Sequence, residues 1–222
     1  MDDWTNELFF NPFNEGKYFD QNGPNFLRLK INEDIRLKIL DSITSCQNSH
    51  KHMHFSGGSD RLNNAIKNSI VDGKIGEVSE EWLKKHPENI IKNTIQNISC
   101  RYGKRYYNKP CVASVESIWY NVMKAGDFHV IHSHQTGSLE PSYRNLSGAI
   151  YLEVPDNLPE PQGNVCWVMG QFMGSTYDPF WQYLPEPGDV FLWPSWLMHM
   201  VYPFRSKQER IMIAFNGQTV CK

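Results

Sequence analysis

"PEPGDVFLWPSWLMHMVYPF", residues 185–204, breaks into two short extended runs. Pro187, Gly188 and Asp189 make a turn, the apolar run "VFLW" follows, Pro194 and Ser195 interrupt it, and His199 lies in the second run. Proline cannot donate to a strand ladder and breaks a helix interior, so this spacing of turn residues predicts strand, turn, strand. The same texture recurs from about residue 111 onward, in "VASVESIWYNVM", "HVIHSH", "GAIYLEV", "NVCWVMG" and "RIMIAFNGQTV". Short β-branched and aromatic runs separated by Gly and Pro, with no helical period, predict an antiparallel sandwich or jelly roll.

The chain before this point reads differently. In "SEEWLKKHPENIIKNTIQNISCRYGKRY" (79–106), Ser79 is placed to cap a first turn, Pro87 divides the segment, and Ile90, Ile91, Ile95 and Ile98 form a core-facing stripe. "NEDIRLKILDSITSC" (32–46) reads as another helix, and "NFLRLKI" (25–31) as an early strand. The expected organisation is mainly β with α. It is one domain over 1–222, with a mostly helical supporting region over 1–110 and a jelly-roll core over 111–222.

Lys and Arg total 22 against 24 Asp and Glu, for a net charge of -2, with no run of five like charges. That balance excludes the basic footprint of a nucleic-acid or anionic-membrane binder. No apolar run approaches the ~20 residues of a membrane span, and the acidic, aromatic N-terminus lacks the pattern of a signal peptide. The expectation is a soluble, cytoplasmic protein. Five scattered cysteines with no C-x-x-C pair argue against a disulfide framework and are expected to be free thiols.

Three of the eight histidines fall in "GDFHVIHSHQTGS" (126–138). Strand alternation puts Val130, His132 and His134 on one face and His129, Ile131 and Ser133 on the other, which makes His129 a structural residue. His132 and His134 can converge on one ion if a third ligand arrives from elsewhere, and His199 on its own strand supplies it. Three neutral imidazoles suit Fe(II), Zn(II) or Ni(II). The second cluster, His50, His52 and His54 in "HKHMH", precedes Gly57 and Gly58 and reads as a solvated loop, and His86 stands beside Pro87.

"SIWYNVMKAGDFHVIHSH" (117–134), "LSGAIYLEVP" (146–155) and "GDVFLWPSWLMHMVYPFRSKQERIMIAFN" (188–216), in that order, resemble the 2-oxoglutarate- and Fe(II)-dependent oxygenases, a family with a double-stranded β-helix, or jelly-roll, fold. The resemblance implies a metal site of His132, His134 and His199. The commoner pattern of the superfamily is H-x-D, so two readings of His134 stay open: metal ligand, or contact to substrate or cosubstrate. The resemblance also gives Arg210 the distal carboxylate of 2-oxoglutarate, a task suited to a bidentate guanidinium. The helper hydroxyl expected two residues later is replaced by Met212, leaving Tyr151 and Asn121 as candidates. Trp119, Trp193 and Trp196 are expected near the metal. The implied reaction consumes O2, releases succinate and CO2, and hydroxylates a protein side chain, such as prolyl, or a small molecule.

"GDFHVIHSH" also fits a cupin signature, which would make His132, His134, Glu140 and His199 the ligands without 2-oxoglutarate. A non-enzymatic jelly roll is a third reading. Arg210, "SGAIYL" and "RIMIAFN" favour the oxygenase, because a cupin does not require them. The loops carrying Tyr177, Phe180 and Trp181 are expected to rim the mouth, with these side chains either contacting substrate or covering the sheet, and neither substrate nor oligomeric state is legible.

Overall fold

The computed structural model describes residues 3–13, 24–49, 74–78, 80–86, 89–134, 144–169 and 179–221. The "HKHMH" cluster, Ser79, Pro87, Glu140 and Tyr177 lie outside them.

Two antiparallel sheets carry the chain. The larger has seven strands: β1 (Trp4–Phe10), β2 (Phe26–Ile31), β3 (Lys74–Glu77), β4 (Cys111–Met123), β6 (Arg144–Glu153), β9 (Asp189–Pro194) and β11 (Arg210–Cys221), in the order β1-β2-β9-β6-β11-β4-β3. The smaller has four: β5 (His129–His132), β7 (Val165–Val168), β8 (Phe180–Tyr183) and β10 (Met198–Val201), in the order β5-β10-β7-β8. The expected turn at Pro194 and Ser195 is present, and it passes the chain from one sheet to the other.

Period-two alternation sorts the larger sheet into two faces. Ile118, Tyr120, Val122, Leu146, Ile150, Leu192, Ile213 and Phe215 face the helices α1 (Glu33–Ser49) and α3 (Ile90–Tyr107), against Ile39, Ile43, Ile91, Ile95 and Ile98. The intervening residues Ala149, Tyr151, Phe191, Trp193, Met212 and Ala214 point the other way and share a second core with Val165 and Trp167 of the smaller sheet. A short helix α2 (Glu80–Lys85) precedes α3. Asn89 starts α3 by accepting a hydrogen bond from the Ile91 amide at 2.9 Å, and Asn108 ends it in the left-handed conformation. The predicted isoleucine stripe is thus buried on the sheet. Gly103 of α3 sits where a Cβ would come within 3.1 Å of Cys111 and Thr219, so any side chain there would make these neighbours give by a few tenths of an ångström.

One expectation fails here. Cys111 and Cys221 are directly opposed in the β4–β11 ladder and form a disulfide, so they are not free thiols. Among the described side chains, Cys100 and Cys166 are free. The bridge joins residues 110 apart, and closing so long a loop in the unfolded chain is worth about 4–5 kcal/mol on the chain-entropy account. Reduction, or the Cys221→Ser variant, is therefore expected to lower the thermal midpoint by several degrees, read by circular dichroism with and without dithiothreitol. An unchanged midpoint would mean the pair does not form in solution.

Candidate metal centre

The two strands that carry the histidines are neighbours: His132 of β5 is the register partner of His199 of β10. Between that pair and the next, His129 with Val201, β5 spends three residues where β10 spends two. This β-bulge breaks the alternation. Val130 and Ile131 both face solvent, and His129 turns inward, 7% exposed. The reading of His129 as a residue on the far face is thus overturned: its ring centroid lies 6.0 Å from that of His132, and it lines the same cavity as the other histidines. Only the register of the finished sheet reveals the bulge, and no residue type in "HVIH" announces it.

His134 follows β5 and is fixed by its backbone, whose N–H donates to Ser195 O at 2.9 Å in the β9–β10 turn. One ligand atom from each of His132, His134 and His199 lies within 4.8 Å of the others, and the Nε2 atoms of His134 and His199 are 3.2 Å apart. Nitrogens bound at ~2.1 Å to one ion stand roughly 3.0–3.4 Å apart, so little movement is needed. Nδ1 of His132 is 2.7 Å from Val130 O, and Nδ1 of His199 is 3.1 Å from Leu197 O. A carbonyl can only accept, so both rings carry their proton on Nδ1 and turn an Nε2 lone pair toward the cluster. Trp119 stacks on His134 at 5.4 Å and Trp193 meets His199 edge-on at 5.1 Å. Trp196, by contrast, is 44% exposed and does not line the cavity.

Burial pushes His132, His134 and His199 below the usual imidazole range, with neighbouring histidines adding to the shift for the last two. His129 falls to about 3, from burial first and then the charges of His132 and Arg210. All four are neutral at pH 7, as metal binding requires. The same shifts set a pH dependence. Below pH ~6.5 the unfolded chain takes up protons that these rings refuse, so stability that is complete above that pH is lost as pH falls toward 3. Each such histidine costs up to ~1.4 kcal/mol per pH unit. Melts with chelator present are expected to show a clearly lower midpoint at pH 5 than at pH 7, and equal midpoints would rule out buried neutral rings.

Arg210 opens β11 on the same inner face. It is fully buried; Nη1 donates to Gly163 O at 2.6 Å, and the guanidinium stands 5.0 Å over the Tyr151 ring. Its Nε and Nη2 have no hydrogen-bond partner, and no carboxylate among the described residues pairs with it. A buried unpaired charge is costly, and a carboxylate ligand would satisfy it. Nearby, both side-chain atoms of Asn121 and Nε2 of His129 are also buried without partners. Tyr151, Asn121, His129 and the three clustered histidines line one small cavity of about 30 Å³, roughly the room that one or two waters need. Of the two readings of the loop aromatics, Trp181 takes the packing one, stacked on Trp167 at 4.7 Å, while Phe180 is exposed.

Two sheets closing around three convergent imidazoles and a buried arginine define a class: a double-stranded β-helix whose mouth carries three histidines that could hold a metal ion. Residues 117–216 match the family model described as "Putative 2OG-Fe(II) oxygenase". Over that stretch the chain is similar to the 2OG-Fe(II) oxygenases, oxidoreductases whose family implies Fe(II) and 2-oxoglutarate. Several solved structures share the architecture. The carbocyclase SnoK from nogalamycin biosynthesis is 14% identical, covers 87% of this chain and 79% of its own, and superposes with a TM-score of 0.59. A prolyl hydroxylase from Trichoplax adhaerens, in complex with a hypoxia inducible factor peptide, is 14% identical over 88% and 83%, with a TM-score of 0.59. HygX from Streptomyces hygroscopicus, with nickel and 2-oxoglutarate bound, is 11% identical over 87% and 82%, with a TM-score of 0.52. At these identities the likeness establishes the fold. No curated protein matches the chain. No helix among the described residues is long and apolar enough to cross a membrane.

Proposed function

We propose that His132, His134 and His199 hold Fe(II) through their Nε2 atoms, and that Arg210 receives the distal carboxylate of 2-oxoglutarate in the adjoining cavity. The observation that carries this reading is a three-imidazole cluster on one cavity together with a buried guanidinium that has two unused donors and stands over the ring of Tyr151, which lines that cavity. When bound, the iron supplies O2-dependent oxidation of a C–H bond, coupled to loss of CO2 from the 2-oxo acid and release of succinate. The protein's own residues bind, orient and keep the site dry. Trp119 and Trp193 exclude water from the histidine faces, and the Val130 and Leu197 carbonyls orient two of the rings.

The oxygen of Gly163 clamps one end of the guanidinium, which leaves Nε and Nη2 to meet a carboxylate in parallel. With Met212 unable to donate, Tyr151, Asn121 and the inward-turned His129 complete the cosubstrate pocket. His129 is the member that strand alternation hid. Its neutral ring offers an N–H where a second positive charge would be redundant beside Arg210.

Three neutral ligands discriminate weakly among borderline divalent ions, so zinc and nickel are expected to compete with iron in the isolated protein. The substrate is a protein side chain or a small molecule, classes represented by the prolyl hydroxylase and the carbocyclase of like fold. The test is direct. Anaerobic Fe(II) with 2-oxoglutarate should give a weak visible charge-transfer band, and admission of air should yield succinate slowly even without substrate. Metal binding with no response to 2-oxoglutarate in spectrum or melting would sink the oxygenase reading and favour a cupin-like one.

A further inference from the structure

His132 and His199 are each held by a backbone carbonyl, which fixes their proton on Nδ1. His134 is held differently. Its Nδ1 lies 3.3 Å from the side-chain amide of Asn216, whose other end is 2.7 Å from the hydroxyl of Ser147. Ser147 and Asn216 are register partners in the β6–β11 ladder, and Ser147 is almost wholly buried. A bulge in the β4–β11 ladder falls between Asn216 and Gly217, where a Cβ on Gly217 would come within 2.7 Å of Ser114 O.

These distances admit two directions of hydrogen bonding, because half a turn of an amide exchanges its nitrogen and oxygen without moving its neighbours. In the first, Ser147 donates to Asn216, Asn216 donates to His134 Nδ1, and the His134 proton sits on Nε2, pointing at His199 Nε2. In the second, His134 donates from Nδ1 to Asn216 Oδ1, and Asn216 donates to Ser147 Oγ, a hydroxyl that serves equally as donor and acceptor. Only the second leaves an Nε2 lone pair for a cation. A ligating histidine requires an acceptor at its other nitrogen.

We propose that Asn216, backed by Ser147, is the positioning residue that makes His134 a metal ligand, and that cation binding reverses the Ser147–Asn216–His134 chain from the first direction to the second. The proposal rests on the three-histidine ligand set. It explains how imidazole can stand where the superfamily more often has a carboxylate: a carboxylate ligand needs no tautomer set for it, whereas His134 does, and an amide can serve either tautomer.

The probe is Zn(II), read by long-range proton–nitrogen correlation of the histidine rings in nitrogen-15-labelled protein. With chelator, His134 is expected to carry its proton on Nε2; with one equivalent of Zn(II), on Nδ1. His132 and His199 should stay Nδ1-protonated throughout. Asn216→Asp, whose carboxylate only accepts, should bind Zn(II) at least as tightly as the parent protein, and Asn216→Leu about 10- to 100-fold more weakly, the usual effect of losing such a partner. Melting curves report whether each variant is folded, and the Asp variant keeps the test alive if the Leu variant is not. Failures separate cleanly. Zinc-induced shifts at His132 and His199 but not His134 would overturn the ligand set. Shifts at all three, with Asn216→Leu binding as tightly as the parent, would overturn the role of Asn216 alone. Absence of any 2-oxoglutarate response would count against the oxygenase reading and leave these readouts untouched.

Discussion

His199→Ala is expected to abolish stoichiometric metal binding and to reduce succinate formation to background. In the proposed centre His199 joins the two halves of the site: it is register-paired with His132, lies 3.2 Å from His134 at Nε2, and has its tautomer fixed by Leu197 O. Losing an outer partner of a metal ligand typically costs 10–100-fold in affinity, and losing the ligand itself should exceed about 100-fold. The check is metal content after dialysis against Fe(II) or Co(II), alongside a melting curve, because truncating a buried ring also opens a small cavity. Retention of one equivalent of metal by a folded variant would place the centre elsewhere. His132→Ala should behave alike, for the same geometric reason.

Arg210→Ala is expected to weaken 2-oxoglutarate binding by roughly 30- to 1,000-fold, the ~2–4 kcal/mol of a buried, charge-assisted carboxylate contact, while metal content stays intact. The separation of effects is the point. The guanidinium lies beside Tyr151 and Gly163 and is not one of the clustered metal-ligating residues, so its loss should change the cosubstrate titration and nothing else. Arg210→Lys should recover little, since a point charge cannot make two parallel hydrogen bonds. His129→Phe, which keeps the shape and removes the N–H, should weaken 2-oxoglutarate about ten-fold if its unpaired Nε2 serves the same carboxylate. Anaerobic calorimetry on the metal-loaded protein measures all three. Loss of metal from Arg210→Ala would show that the arginine supports the centre rather than the cosubstrate.

Much of the architecture was legible before any coordinates, for a local reason. Turn residues such as Pro187, Gly188, Pro194 and Ser195 act within a few positions of themselves, and so do the stripe of isoleucines on α3 and the alternation that sorts β6, β9 and β11 into two faces. The histidine pair and His199 could be proposed from residue type, because imidazole chemistry does not depend on the neighbours. What stayed hidden depends on register. The inward turn of His129 comes from a bulge that exists only when β5 meets β10, and the Cys111–Cys221 bridge from a twelve-residue ladder whose ends meet 110 positions apart. The same holds for Trp181, an aromatic in a loop-like stretch that the finished sandwich draws into its core.

By itself, then, the sequence determined the kind of fold, the candidate ligands His132, His134 and His199, and the arginine suited to a carboxylate. The first two follow from local backbone preference and from the functional groups side chains carry, and the role of the arginine from the resemblance of 188–216 to the oxygenases. Only the tertiary structure decided which of those groups lack partners, and which hold one another in place. It left Arg210 buried with two unused donors, brought His129 into the cavity, and set Ser147 and Asn216 behind His134. Hydrogen-bond satisfaction is a property of neighbours in space, and neighbours are fixed by strand pairing across the whole chain.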